Sequence, residues 1–281
     1  RVDYSIAQPG DEVGDVGYAL NTMIDNVETA LQARAESEQR LRQFVADASH
    51  ELRTPLASIQ GYTQLLQKGS ADEELALARI ASESARMSGL VEDLLLLARL
   101  DAGRELASDP VDLIPLAIDA VSDAHAAGPD HEWVLDLPQF DDEDEVCVSC
   151  TVAGDESALR QVFANLVNNA RIHTPAGTRV KVGVQVIGGG ASAPGFVRMS
   201  VADDGPGIPP ELRATVFDRF VRGDTSRSRQ GKGSSGLGLS IVSSIAEALG
   251  GRVDVDTVCE GEAKPGEHGT TFSVILPALG E

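Results

Sequence analysis

Apolar residues recur at helical spacing over the first hundred positions and at mixed spacing beyond them. Val13, Val16, Leu20, Ile24, Val27 and Leu31 mark one face of a helix opening at Asp11-Glu12. Two sets spaced by sevens, Leu20, Val27, Leu41, Ala48 and Ile24, Leu31, Val45, Leu52, continue it in one register. Only Arg34 and Glu38 interrupt that seam. Ile59 and Leu66 prolong it, and Gly69 marks the stop. A second helix is predicted from about Asp72 to Leu100, with Ile80, Met87, Leu94 and Leu90, Leu97 as its sevens. One hairpin cannot bury both stripes, so two chains are expected to form a four-helix bundle, a homodimer.

After Asp101–Pro110, which has the character of a linker, the period changes. Helices are predicted near 112–127, 155–172, 209–216 and 236–249. Strands are predicted near 133–137, 146–152, 179–187, 196–203, 252–257 and 270–276. The expected fold is therefore multidomain: an all-α helical hairpin forming a dimeric bundle, then an α+β sandwich. The expected division is 1–34, 35–103, a linker at 104–111, and 112–281.

Composition narrows the function. A length of 281 residues suits about two domains, and the net charge of −21 opposes a direct nucleic-acid surface. No apolar run is long enough to span a bilayer. The chain starts at Arg1, without a methionine or a signal peptide, and is expected to be a piece of a longer protein. Cys147 and Cys150 lie in an alternating stretch with no second pair, which favours ordinary core or edge cysteines in a reducing compartment. The acidic run Asp141–Glu145 has the character of a solvated turn, and Gly188–Gly195 that of a hairpin loop.

Candidate chemistry begins in residues 44–56, FVADASHELRTPL. His50 falls off the seam on the outer helix face, and Thr54 lies on that face one turn later. Pro55 is expected to kink the helix. Asn165 and Asn169 are one helical turn apart in DESALRQVFANLVNNARIHTP. Their amides could cap backbone or offer carbonyl oxygens to a hard cation such as Mg²⁺. Val201–Pro209 runs from a strand into a glycine turn. Gly236-Leu237-Gly238-Leu239 opens a helix whose free amides suit polyphosphate. The nearby GKGSSG has no preceding strand, so a dinucleotide fingerprint fails, and a Walker A fails because Gly233 follows Lys232.

Taken together, these stretches resemble the H, N, glycine and F boxes of bacterial sensor histidine kinases, in family order. Residues 11–31 resemble the second half of a HAMP linker, so the resemblance assigns 1–34 to the end of that linker. It assigns 35–103 to a dimerisation and phosphotransfer domain, and 112–281 to a Bergerat-type ATP-binding domain. It implies that His50 accepts phosphate from Mg-ATP, with Glu51 as base or orienting carboxylate. It also implies that Thr54 positions water for removing phosphate from a regulator. Asn169 would bind Mg²⁺, with Asn165 and His173 close to the nucleotide. In the first glycine box, DxGxGI, Asp203 would accept a hydrogen bond from the adenine amino group, beside Gly205 and Gly207.

In the F box, Val216–Arg222, the resemblance makes Phe217 and Phe220 anchors and Arg219 and Arg222 cations near the phosphates. Residues 223–235 would be a lid, and Gly236, Leu237, Gly238 and Leu239 the second glycine box. One departure is Ile172, with Arg171 before it, where the family often has lysine. The implied partner is a response regulator docking around Ala57–Leu66, and the implied location is the cytoplasmic face of the bacterial inner membrane, by way of a membrane-anchored parent. Two alternatives stay open: an ATPase of the same fold driving a conformational cycle, and a nucleotide-binding scaffold without phosphotransfer.

Overall fold

Helix α1 runs from Glu12 to Gln67 as one helix and continues through Pro55. It ends as expected: Gly69 adopts φ +62, and the N–H of Ser70 donates to the Leu65 carbonyl at 3.0 Å. Asp72 then caps α2 (Glu73–Asp101), its carboxylate accepting from the N–H of Leu75 at 3.1 Å. The computed structural model describes residues 12–70, 72–104, 106–138, 150–188, 195–221, 235–259 and 268–279. The acidic run, Cys147, Arg222 and nearly all of the expected lid lie outside the described residues.

The α+β part follows as β1 (Asp109–Asp112), α3 (Leu113–Ala127), β2 (Glu132–Asp136), β3 (Thr151–Gly154), α4 (Glu156–His173), β4 (Arg179–Ile187) and β5 (Phe196–Asp203). It closes with α5 (Pro210–Arg213), α6 (Gly238–Ala248), β6 (Arg252–Val258) and β7 (Gly269–Pro277). Five strands form a mixed sheet in the order β2-β4-β5-β7-β6, in which only β2 and β4 are parallel. Helices α3, α4 and α6 pack together against this sheet. Alternate residues of the central strands supply the core: Val180, Val182 and Val184 of β4, and Val197, Met199 and Val201 of β5. Phe163 and Leu166 of α4 and Ile241 and Ile245 of α6 close over them. The expected α+β sandwich is thus present.

The expected linker differs in one detail. Asp109 and Pro110 are not linker: they open β1, which pairs antiparallel with β3 and buries Val111 against Val152. Proline fits because this short two-stranded sheet does not need every ladder donor. Of the strand expected at 146–152, residues 146–149 lie outside the described residues, and the described part falls at β3, Thr151–Gly154.

The chain divides into two compact units, Arg1–Glu83 and Ser84–Glu281. The division between these units falls inside α2. The last turns of α2 belong to the second unit, and Leu97 within them is fully buried.

Candidate functional site

In the first unit, His50 is solvent-exposed on α1, and so is Thr54, whose hydroxyl donates to the His50 carbonyl at 3.5 Å. Glu51 is half-buried. The same helix leaves Val16, Leu20, Val27, Leu31 and Val45 exposed, an apolar stripe uncovered within one chain.

In the second unit a cavity of about 680 Å³ opens at the end of the sheet. Its walls include Asn169 and His173 from α4, Asp203 from β5, Gly207 and Ile208 from the turn, and Phe272 from β7. A polar cleft of about 130 Å³ shares Asn169, His173 and Leu239 with it, and adds Asn165, Gly236 and Gly238. Local sequence explains the placement of α4. Asp155 caps it by accepting from the N–H groups of Ser157 and Ala158; the Ser157 hydroxyl, which also donates to it, and those N–H bonds hold its carboxyl below the usual range. The face Leu159, Val162, Phe163, Leu166 is buried, which turns Asn165 and Asn169 toward the cleft.

Asp203 lines the cavity because of strand parity. It shares a face with Val197, Met199 and Val201, and pairs in register with Val180 and Thr270. Asp204 instead accepts from the N–H of Arg179 at 2.8 Å. Burial pushes the Asp203 carboxyl up to about 6, against the opposing N–H donation from Gly205. Gly205 thus shapes the turn; a Cβ there would lie 2.6 Å from Thr174 Cγ2. His268 Nδ1 lies 2.7 Å from the Gly205 carbonyl and ties down the same turn.

Leu237 is fully buried in the core, so its side chain supports the glycine turn from behind. Among the described residues no side chain caps the start of α6, which opens at Gly238 on the cleft wall, and helix-start amides suit an anion. Phe217 meets Phe272 edge to face at 6.0 Å, and the N–H of Phe220 donates to the Gly236 carbonyl at 2.8 Å. Arg219 ion-pairs with Asp101 at 2.6 Å. The side-chain nitrogen Nδ2 of Asn165 is buried at the cleft with no hydrogen-bond partner among the described residues, a donor suited to an incoming polar ligand. The size of the cavity and the orphaned Asn165 amide fit a polar ligand of nucleotide size, and the side-chain oxygens of Asn165 and Asn169 are of the type that a hard divalent cation accepts.

Several wall residues carried no local signal. Phe272 comes from the last strand, and Cys259, whose thiol donates to the Ile208 carbonyl at 3.1 Å, from the end of β6. Asp93 of α2 also lines the cleft, its carboxyl raised to about 6 by burial and by neighbouring Glu92.

Two family models match the chain. Residues 40–103 match the His Kinase A (phospho-acceptor) domain, and residues 154–280 match the histidine kinase-, DNA gyrase B- and HSP90-like ATPase. A probable sensor histidine kinase of Mycobacterium tuberculosis, TcrY, is 51% identical over 100% of this chain and 55% of its own length. The histidine-protein kinase/phosphatase MprB of Mycobacterium leprae is 33% identical over 95% of this chain and 48% of its own. The chain thus spans about half the length of these curated relatives. Among solved structures, histidine kinase ThkA in complex with the response regulator protein TrrA aligns with a TM-score of 0.62 at 23% identity, covering 88% of this chain and 65% of that one. That likeness is one of fold. The ATPase-family match implies that residues 154–280 bind ATP.

Proposed function

The chain belongs to the sensor histidine kinases of two-component systems, and from that premise we propose that it phosphorylates itself on His50 and then phosphorylates a response regulator. The observation that carries this proposal is the coexistence, in one chain, of an exposed His50 and a nucleotide-sized cavity walled by Asn169 and Asp203.

The roles follow from chemistry. A neutral His50 ring nitrogen forms the N–P bond as the bond from the γ-phosphorus to the bridging oxygen breaks, and ADP leaves with that electron pair. The imidazole proton passes to Glu51 or to solvent. Asp203 selects adenine by accepting its amino hydrogen. Asn169, through its amide oxygen, would hold Mg²⁺, which neutralises phosphate charge when bound. Asn165, His173 and Leu239 shape the adjoining wall, and the α6 amides with Gly236 and Gly238 face the phosphates. Arg222, outside the described residues, is assigned with Arg219 to phosphate charge.

The phosphoryl group then moves from His50 to an aspartate of a regulator docking around Ala57–Leu66. Thr54 serves a separate hydrolytic step, positioning a water that takes the phosphoryl group from the regulator's aspartate as inorganic phosphate, in keeping with the kinase/phosphatase description of MprB. The exposed α1 stripe supports a homodimer, because a second copy would bury it. Among the described residues no helix is long and apolar enough to cross a membrane. Since relatives are about twice as long, a membrane-anchored parent joined through the HAMP-like α1 start is part of this proposal.

The test is incubation with γ-labelled ATP and Mg²⁺. Phosphohistidine is base-stable and acid-labile, and such label is expected. ATP hydrolysis without protein label would instead favour an ATPase, and binding without either would favour a scaffold.

Asp203 also makes nucleotide affinity depend on pH. Its carboxyl is raised to about 6, while the adenine amino group prefers the ionised acceptor, so binding draws off a proton below that pH. Affinity should be full above pH 6 and fall below it, approaching about tenfold per unit. A titration in the Asp93→Asn background, which lacks the second carboxyl near 6, checks this. Asp203→Asn should flatten the curve, and an unchanged slope would remove Asp203 from the adenine contact.

A further inference from the structure

We infer that the last turns of α2 form a carboxylate latch, in which Asp93 and Asp101 compete with nucleotide phosphates for the cleft and for Arg219. The inference rests on the nucleotide-binding assignment above and adds a residue pair outside every motif that carries it. Two independent contacts support it.

Asp93 lines the polar cleft together with Asn165, Asn169, Gly236 and Gly238. Those groups are the donors and turn amides that polyphosphate would use. A carboxylate there adds negative charge where the triphosphate must add more, and at such separations like charges in a partly buried site repel strongly.

Two turns further along α2, Asp101 Oδ1 lies 2.6 Å from the Arg219 guanidinium. A cation engaged by a protein carboxylate is less available to phosphate. Both aspartates fall on the segment of α2 that belongs to the same compact unit as the α+β domain, and Leu97 between them is fully buried. Nucleotide entry then requires these turns of α2 to withdraw. The apparent affinity is lowered by the fraction of molecules still latched. A signal that moves α2 would thereby set nucleotide occupancy without touching any nucleotide-binding residue.

The experiment titrates the full chain with a fluorescent ATP analogue in Mg²⁺. Asp93→Asn and Asp101→Asn keep shape and remove charge. The double variant should bind about 3–10-fold more tightly than wild type, the range expected from releasing two partly exposed contacts. Glu74→Gln, an exposed α2 charge in the other unit, controls for net charge and should leave binding unchanged. Without nucleotide, amide exchange over residues 94–101 should quicken in Asp101→Asn. Unchanged affinity in the double variant, with wild type binding normally, overturns the latch alone. Weaker binding also overturns it, since Asp93 would then assist the ligand. No saturable binding in any variant removes the nucleotide assignment and the latch together.

Discussion

His50→Gln should abolish incorporation of acid-labile phosphate, lowering it more than about 100-fold, to background. The substitution isolates chemistry from folding. Position 50 is exposed on a continuous helix, and glutamine is a good helix former, so stability should change by no more than about 0.5 kcal/mol. Nucleotide affinity should also persist, because every wall residue of the cavity lies in the second unit. Removal of the ring nitrogen leaves Ser49 and Thr54 as the adjacent exposed hydroxyls. Phosphate on either would be an acid-stable ester. Label that persists in the variant with its acid lability intact would place the acceptor on another histidine and end the assignment.

Gly207→Ala should damage the other half of the machine. Gly207 adopts φ +77, and a Cβ there would lie 2.3 Å from the Val258 carbonyl oxygen and 2.9 Å from Cys259 Cα. Both obstacles are backbone, and the following N–H, of Ile208, is already committed to Thr257 Oγ1 at 2.8 Å. Neither the turn nor the end of β6 can yield cheaply. The left-handed conformation alone costs a non-glycine residue about 1 kcal/mol or more, and the close approach adds to it, for about 2–3 kcal/mol in all. For a unit of this size that lowers Tm by about 4–10 °C. Because the displaced turn carries Ile208 in the cavity wall, nucleotide affinity should fall at least about tenfold. Gly61→Ala provides the contrast: a Cβ there meets nothing within 4 Å, and alanine favours the helix. Calorimetry and nucleotide titration of both variants decide the matter. Equal behaviour would show that the turn relaxes freely and does not define the cavity.

Much of the fold could be read locally. The 3.6-residue pattern of α4 and the alternation in β4 and β5 are set by which side chains must leave water, so element type followed directly. The ends of α1 and α2 were also legible, since Gly69 and Asp72 act on the backbone within a few residues. Less legible was β1: Asp109-Pro110-Val111 has too little pattern to distinguish strand from linker until Val152 covers Val111. The choice between Asp203 and Asp204 came from motif resemblance, and its physical cause is strand parity, visible once Val201 and Met199 face the core.

The sequence by itself determined the helical and α+β halves, the stretches on which the proposed chemistry rests, and the outward position of His50. Those depend on residues close together in the chain, where spacing dictates a shared face. Only the tertiary structure decided that Phe272 and Cys259 complete the cavity, that Leu237 supports it from behind, and that Asp93 and Asp101 of α2 reach the cleft and Arg219. Asp101 and Arg219 are 118 positions apart. No local period encodes such a meeting; it exists only once folding brings two segments far apart in the chain within ion-pair distance.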